Sequence, residues 1–162
     1  MLDFLVTATA DSALNRWIAE TYWLWPVLEI IHFIGLSIML GALLIIDLRM
    51  LGLFRAINAE STHRLLPWVW IGFCLNLITG ILFIFGDAGR YAINIGFQLK
   101  MLLIFIAGLN AALYHWKVSP IMSQWTETTA TPAIARVVAA TSLAAWTGVL
   151  LLGRLIPYVG TG

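Results

Sequence analysis

Residues 25–46 read WPVLEIIHFIGLSIMLGALLII. A bilayer core of about 30 Å takes roughly 20 helical residues to cross. Only Glu29 and His32 interrupt this stretch, so it reads as a membrane span. Three more stretches of the same kind follow, at 67–85, 97–115 and 134–157. The chain is 61% hydrophobic and 10% charged, where a soluble domain carries about a quarter charged residues. The spans use most of residues 1–162, which leaves one membrane domain and no room for a separate soluble one. Short connections join antiparallel neighbours, so the expected fold is an all-α, four-transmembrane-helix up-down bundle.

Before the first span, residues 11–22 read as a short amphipathic helix. Asp11 or Ser12 can cap it, and Leu14, Trp17 and Ile18 share a face. It is expected on the membrane surface, with Trp17, Trp23 and Trp25 in the interfacial belt. Pro26 suits the first turn of span one. The first 24 residues carry Asp3, Asp11 and Glu20 and lack a basic start, so they do not read as a signal peptide. Residues 86–90, Gly-Asp-Ala-Gly-Arg, read as a tight turn between spans two and three.

The loop at 51–66 carries Arg55 and Arg64, with Arg49 at the span end. The loop at 116–133 carries Lys117, with Arg136 just beyond. The opposite side holds Arg16, Arg90 and Arg154 beside an acidic N-terminal arm. Positive charge therefore favours these two loops inside and both termini outside. Formal net charge is +1, with no basic run, which argues against nucleic acid as a partner. The single cysteine, Cys74, excludes an intrachain disulfide and a thiolate cluster. There is no phosphate loop and no nucleophile elbow. Met39, Met50 and Met101 are scattered in depth, unlike the clustered soft ligands of Cu(I) transport.

The chemistry-bearing residues are few: His32, His63, Lys100 and His115, with Glu29 and Arg49 beside them. Ionisable groups inside a bilayer are costly and are functional candidates by default. Depth sorts them. His32 lies about 9 Å below the outer boundary at 1.5 Å per residue. Glu29 is one turn above it on the same face. Lys100, three residues into span three, comes to a similar depth. His32 is about 20 Å from the inner boundary, so it cannot share a metal with His115, because two donors on one ion stand about 4 Å apart. His63 and His115 can share one if spans two and three pack together and His63 extends a helix.

Each residue has a plainer reading. His32 is a core histidine satisfied by Glu29 or a backbone carbonyl, or it serves a cofactor or a proton. Glu29 and Lys100 form an ion pair that sets register, or Lys100 snorkels outward. His63 is a loop histidine or a ligand; His115 is an interfacial residue or a ligand. Arg49 holds a lipid phosphate or a propionate. Asn76, Thr79 and Asn110 make interhelical hydrogen bonds. Ala140, Ala144 and Gly148 form a small-residue stripe, for internal packing or for a homo-oligomer face.

Several of these residues carry a resemblance. Span one has Leu28-Glu29-Ile30-Ile31-His32, then Gly35, Gly41 and Arg49. Span three has Phe97-Gln98-Leu99-Lys100-Met101, then Gly108-Leu109-Asn110 and Tyr114-His115. The pattern resembles small bacterial four-helix inner-membrane proteins with a His-x-x-Gly first helix and a Lys-Met…Gly-Leu-Asn third helix. It is more distantly similar to HemJ-type protoporphyrinogen oxidases and to CopD-type copper-resistance membrane proteins. The HemJ-like pattern falls on His32, Arg49, Lys100, Tyr114 and His115, over about a third of the chain. The resemblance implies haem or porphyrin handling at His32 and Lys100. The fourth span lacks the Asn-Glu-Pro segment of the HemJ ending, so protoporphyrinogen oxidation itself does not carry over.

These readings lead to one expectation: a bacterial inner-membrane b-type haem protein for electron transfer or porphyrin handling, an oxidoreductase if it is an enzyme. His32 would be an axial ligand, with Lys100 as its partner or as a charge balancing Glu29 or a propionate, and Phe33, Trp70, Phe73, Phe105 and Trp146 walling the ring. The alternatives are a non-enzymatic membrane subunit, and a small proton-coupled transporter using Glu29, His32 and Lys100.

Overall fold

The structure, a computed structural model, describes residues 6, 9, 12–125 and 131–159. Asp3 and Asp11, named above, lie outside them. The described residues form helices and no strand: α1 (Ala13–Glu20), α2 (Leu24–Leu51), α3 (Ala59–His63), α4 (Leu66–Gly86), α5 (Ala88–Ile93), α6 (Ile95–Leu113) and α7 (Ala133–Leu155). Four of them, α2, α4, α6 with its extension, and α7, are long and apolar enough to cross a membrane. They form a four-helix up-down bundle. One end, the terminal end, carries α1, α5 and the close of α7. The other, the loop end, carries the 52–65 and 114–131 connections.

Helix α2 packs on α4 and α7, and α6 packs on α7. The first contact is close because two glycines meet there. A Cβ at Gly72 would lie 2.5 Å from the Gly35 carbonyl oxygen and 2.7 Å from the Met39 nitrogen. Gly148 serves the α6–α7 contact in the same way, lying against the Leu103 side chain.

Helix α1 begins where Ser12 accepts a hydrogen bond from the Asn15 amide at 3.0 Å. Asn15 in turn donates to the carbonyls of Phe85 at 2.8 Å and Gly86 at 3.3 Å, satisfying acceptors that the end of α4 leaves open. Ile18, Leu24 and Leu28 bury together beneath it. At the start of α6, Asn94 caps the Phe97 amide and donates to the carbonyls of Ile156 and Val159 past the end of α7. One side chain thus ties the third span to the fourth.

Three expectations change. The first span runs to Leu51, because Asp47 and Arg49 are buried rather than exposed at a boundary, and Gly52, at φ +88°, ends the helix. The 86–90 turn is instead the Asp87 cap of helix α5, and α4 and α6 are not among the main packing pairs. The small-residue packing of α7 falls on Ala135, Ala139, Ser142 and Ala145, while Ala140 and Ala144 stay exposed.

Candidate functional site

His32 sits on α2 three residues before Gly35, where α4 is close enough for a short side chain to reach across. Its Nδ1 is 2.7 Å from Thr79 Oγ1 on α4. Thr79 Oγ1 is also 2.7 Å from the Leu75 carbonyl oxygen. A carbonyl brings no proton, so the single hydroxyl hydrogen must point at Leu75. Thr79 therefore accepts from His32, and Nδ1 carries the hydrogen. In the neutral ring this leaves Nε2 with a lone pair and no protein donor among the described residues. Phe83, one turn beyond Thr79, meets the imidazole edge-on at 5.5 Å, and Trp25 packs on Phe83 at 5.1 Å.

Lys100 reaches the same region from α6. Its side chain lies over Gly153 of α7, where a Cβ would stand 3.4 Å from Nζ and 3.8 Å from Cε. The missing side chain makes the groove that holds the lysine. Its ammonium acts electrostatically on His32. Among the described residues Lys100 has neither hydrogen-bond nor ion-pair partner.

Glu29 does not join this pair. It is exposed, and its carboxylate accepts from Trp25 Nε1 at 3.1 Å. The indole, four residues earlier on the same helix face, takes the place expected for His32 or Lys100. The Glu29 charge is felt instead at Tyr91 on α5. Burial pushes the Tyr91 hydroxyl above its ordinary range, with Asp87 and Glu29 adding to the effect and Arg90 opposing it.

At the loop end, His63 and His115 have different surroundings. His63 Nε2 hydrogen-bonds Ser119 Oγ at 2.8 Å, while His115 is exposed. Tyr114 stands beside His63, with ring centroids 6.3 Å apart, and donates to Met122 Sδ at 3.1 Å. A shared metal required α4 and α6 to pack together, and they do not do so closely. Among the described residues no group of three or more His, Cys, Asp or Glu can hold a metal ion. Arg49 is 1% exposed, and its Nε donates to the Ile57 carbonyl at 2.6 Å. It closes the 52–58 connection, which is a third role beside the two expected.

The interhelical hydrogen bonds expected of Thr79 and Asn110 are present, the second from Asn110 Nδ2 to the Val138 carbonyl at 3.0 Å. Asn76 instead bonds back to Gly72 within its own helix at 2.8 Å. Sequence reading missed Thr79 as the partner of His32 and Asp47 as a buried acid. Period offers a signal for the second: fifteen residues after His32, at 100° per residue, Asp47 returns to within about 60° of the same face.

No protein-family model, curated protein or solved structure matches the chain. The chain is a small all-helical, multi-span membrane protein. Its likeness to HemJ-type and CopD-type proteins rests on the quoted residues alone.

Proposed function

We propose that this multi-span protein is a small proton-coupled carrier, with His32 and Lys100 as its proton-handling pair. One observation carries the reading: the spans hold a lysine without a counter-ion among the described residues and a histidine whose Nδ1 is tied to Thr79, and the lysine's charge acts on that histidine. Ionisable groups at such depth mark ion and proton paths in membrane proteins. The Thr79 bond orients the ring and fixes the tautomer, so Nε2 is the nitrogen that accepts and returns a proton. The charge bias of the loops supports a bacterial inner membrane orientation with both termini outside.

The test is proton flux into liposomes under an imposed pH gradient. Wild-type protein is expected to conduct, and His32→Ala and Lys100→Met to abolish conduction. Glu29→Gln is expected to leave it intact, because Glu29 faces Trp25. Flux no greater than in protein-free vesicles, or unchanged flux in His32→Ala, overturns the reading.

A second reading has its own support. A histidine whose Nδ1–H is held by a neighbour presents Nε2 as a ligand, so His32 fits one axial position of haem b. Lys100 is the candidate for the second position, since Met101 is 45% exposed. A Soret band that disappears in His32→Ala supports haem; protein that stays colourless after haem addition excludes it. A protein that neither conducts nor colours is a non-enzymatic subunit, and the exposed Ala140 and Ala144 are then its first candidate contact face.

A further inference from the structure

Asp47 is the most deeply buried acid among the described residues, 3% exposed near the loop end of α2. Its Oδ2 is sealed from solvent and has no hydrogen-bond partner among them. Ser142 of α7, itself 5% exposed, is the neighbour whose hydroxyl influences the carboxyl from across the helix contact. A carboxylate anion at such a position needs a cation or several donors to replace its water. One hydroxyl does not supply that.

None of the charged and titratable groups described on the surrounding elements bonds Asp47 Oδ2. Arg49, on the same helix, gives its Nε hydrogen to Ile57. His63 bonds Ser119. Arg136 of α7 is exposed and bonds the Thr131 carbonyl at 3.2 Å. Lys117 is exposed. Among the described residues, Tyr114 is a group whose electrostatics Asp47 influences. It opens a π-helical turn, Tyr114–Val118, an irregularity frequent at functional sites.

We propose that Asp47 is a proton-binding site, its carboxyl holding the proton on the oxygen that finds no protein donor. It lies on the helix that carries His32, about 22 Å further along by helical rise. For its place in a path, the inference rests on the carrier reading; for the bound proton, it rests on the Asp47 geometry alone. The exchange is a simple proton transfer: the carboxyl O–H gives its proton to water or to a neighbouring oxygen and becomes a carboxylate, and the reverse step restores it. At this depth the site is the loop-end counterpart of His32 and Lys100.

Infrared spectroscopy of the full-length protein in lipid vesicles tests the binding directly. At neutral pH a protonated-carboxyl C=O band is expected that shifts in D2O, shifts with 13C-aspartate labelling, and is absent in Asp47→Asn. The label keeps the assignment open should Asp47→Asn fail to fold, since Asp3, Asp11 and Asp87 belong to the N-terminal arm and to an interfacial cap. Only carboxylate bands from labelled aspartate at neutral pH would overturn the proposal. Proton flux is then measured on the same vesicles. If the band is present and wild-type protein does not conduct, the carrier reading fails and the Asp47 site stands. If wild-type protein conducts and folded Asp47→Asn conducts equally, the site lies off the path and its proposed place falls.

Discussion

Gly72→Ala tests whether the α2–α4 crossing is what brings His32 to Thr79. A Cβ at Gly72 would stand 2.5 Å from the Gly35 carbonyl oxygen, with ordinary contact beginning at 3.4 Å. The obstructing atoms are backbone, including the Met39 nitrogen at 2.7 Å, so they cannot rotate away. The helices must separate by about 0.9 Å, the difference between those two distances. The same movement stretches the His32–Thr79 bond from 2.7 Å to about 3.6 Å, beyond useful hydrogen-bonding range. Overpacking costs about 1–3 kcal/mol, and an interhelical hydrogen bond in a membrane is worth about 0.6 kcal/mol on average. The expected loss is therefore about 2–4 kcal/mol. Gly80→Ala on the same helix is the control, because a Cβ there meets nothing within 4 Å. It should be neutral or gain up to about 1 kcal/mol from helix propensity. Reversible unfolding in mixed micelles, followed by tryptophan fluorescence, gives both values. If Gly72→Ala is as stable as wild type, or Gly80→Ala is equally damaged, the close-crossing argument is wrong.

Asn94→Ala removes an N-cap and leaves two carbonyls without donors at a site 1% exposed; a loss of about 2–4 kcal/mol is expected in the same assay. Tyr91 makes a pH-dependent contribution: its hydroxyl is held above the ordinary value of 10.0 in the folded protein, so its stabilisation is complete below that pH. It is lost as pH rises through the folded pKa, because the unfolded state ionises first. Melting temperatures of wild type and Tyr91→Phe should therefore diverge from their neutral-pH difference only in strongly alkaline buffer, and a constant difference would refute the assignment.

The four spans were legible because an apolar run of membrane length has few other uses. Depth along those spans also puts Lys100 level with His32, since helical rise is fixed. What period and rise do not contain is which helix lies beside which. The short 86–95 connection suggested that spans two and three would be close neighbours, but α5 occupies it and α6 seats against α7. His63 nevertheless reaches the turn that follows α6, through Ser119 and Tyr114. Glu29 was hidden by a different cause. Its indole partner lies on its own helix, and an acid near a histidine and a lysine in depth looks the same in sequence whichever neighbour it chooses.

Asp47 shows why a boundary drawn by hydropathy misplaces chemistry. A charged residue at the end of an apolar run reads as the point where the chain meets water. Here the apolar run ends at Ile46, yet the helix continues to Leu51, with Asp47, Arg49 and Met50 all buried. The cause is the 52–58 connection, which folds back and offers the Ile57 carbonyl to Arg49. Asp47, two residues and about 200° around the helix from Arg49, is covered separately: α7 presents a small residue, Ser142, on its side. Bulk at that position of α7 would have pushed the helices apart and let water reach the carboxyl. The burial of this helix end therefore depends on two remote choices, a loop carbonyl for Arg49 and a serine beside Asp47, neither of which a short window around residue 47 contains.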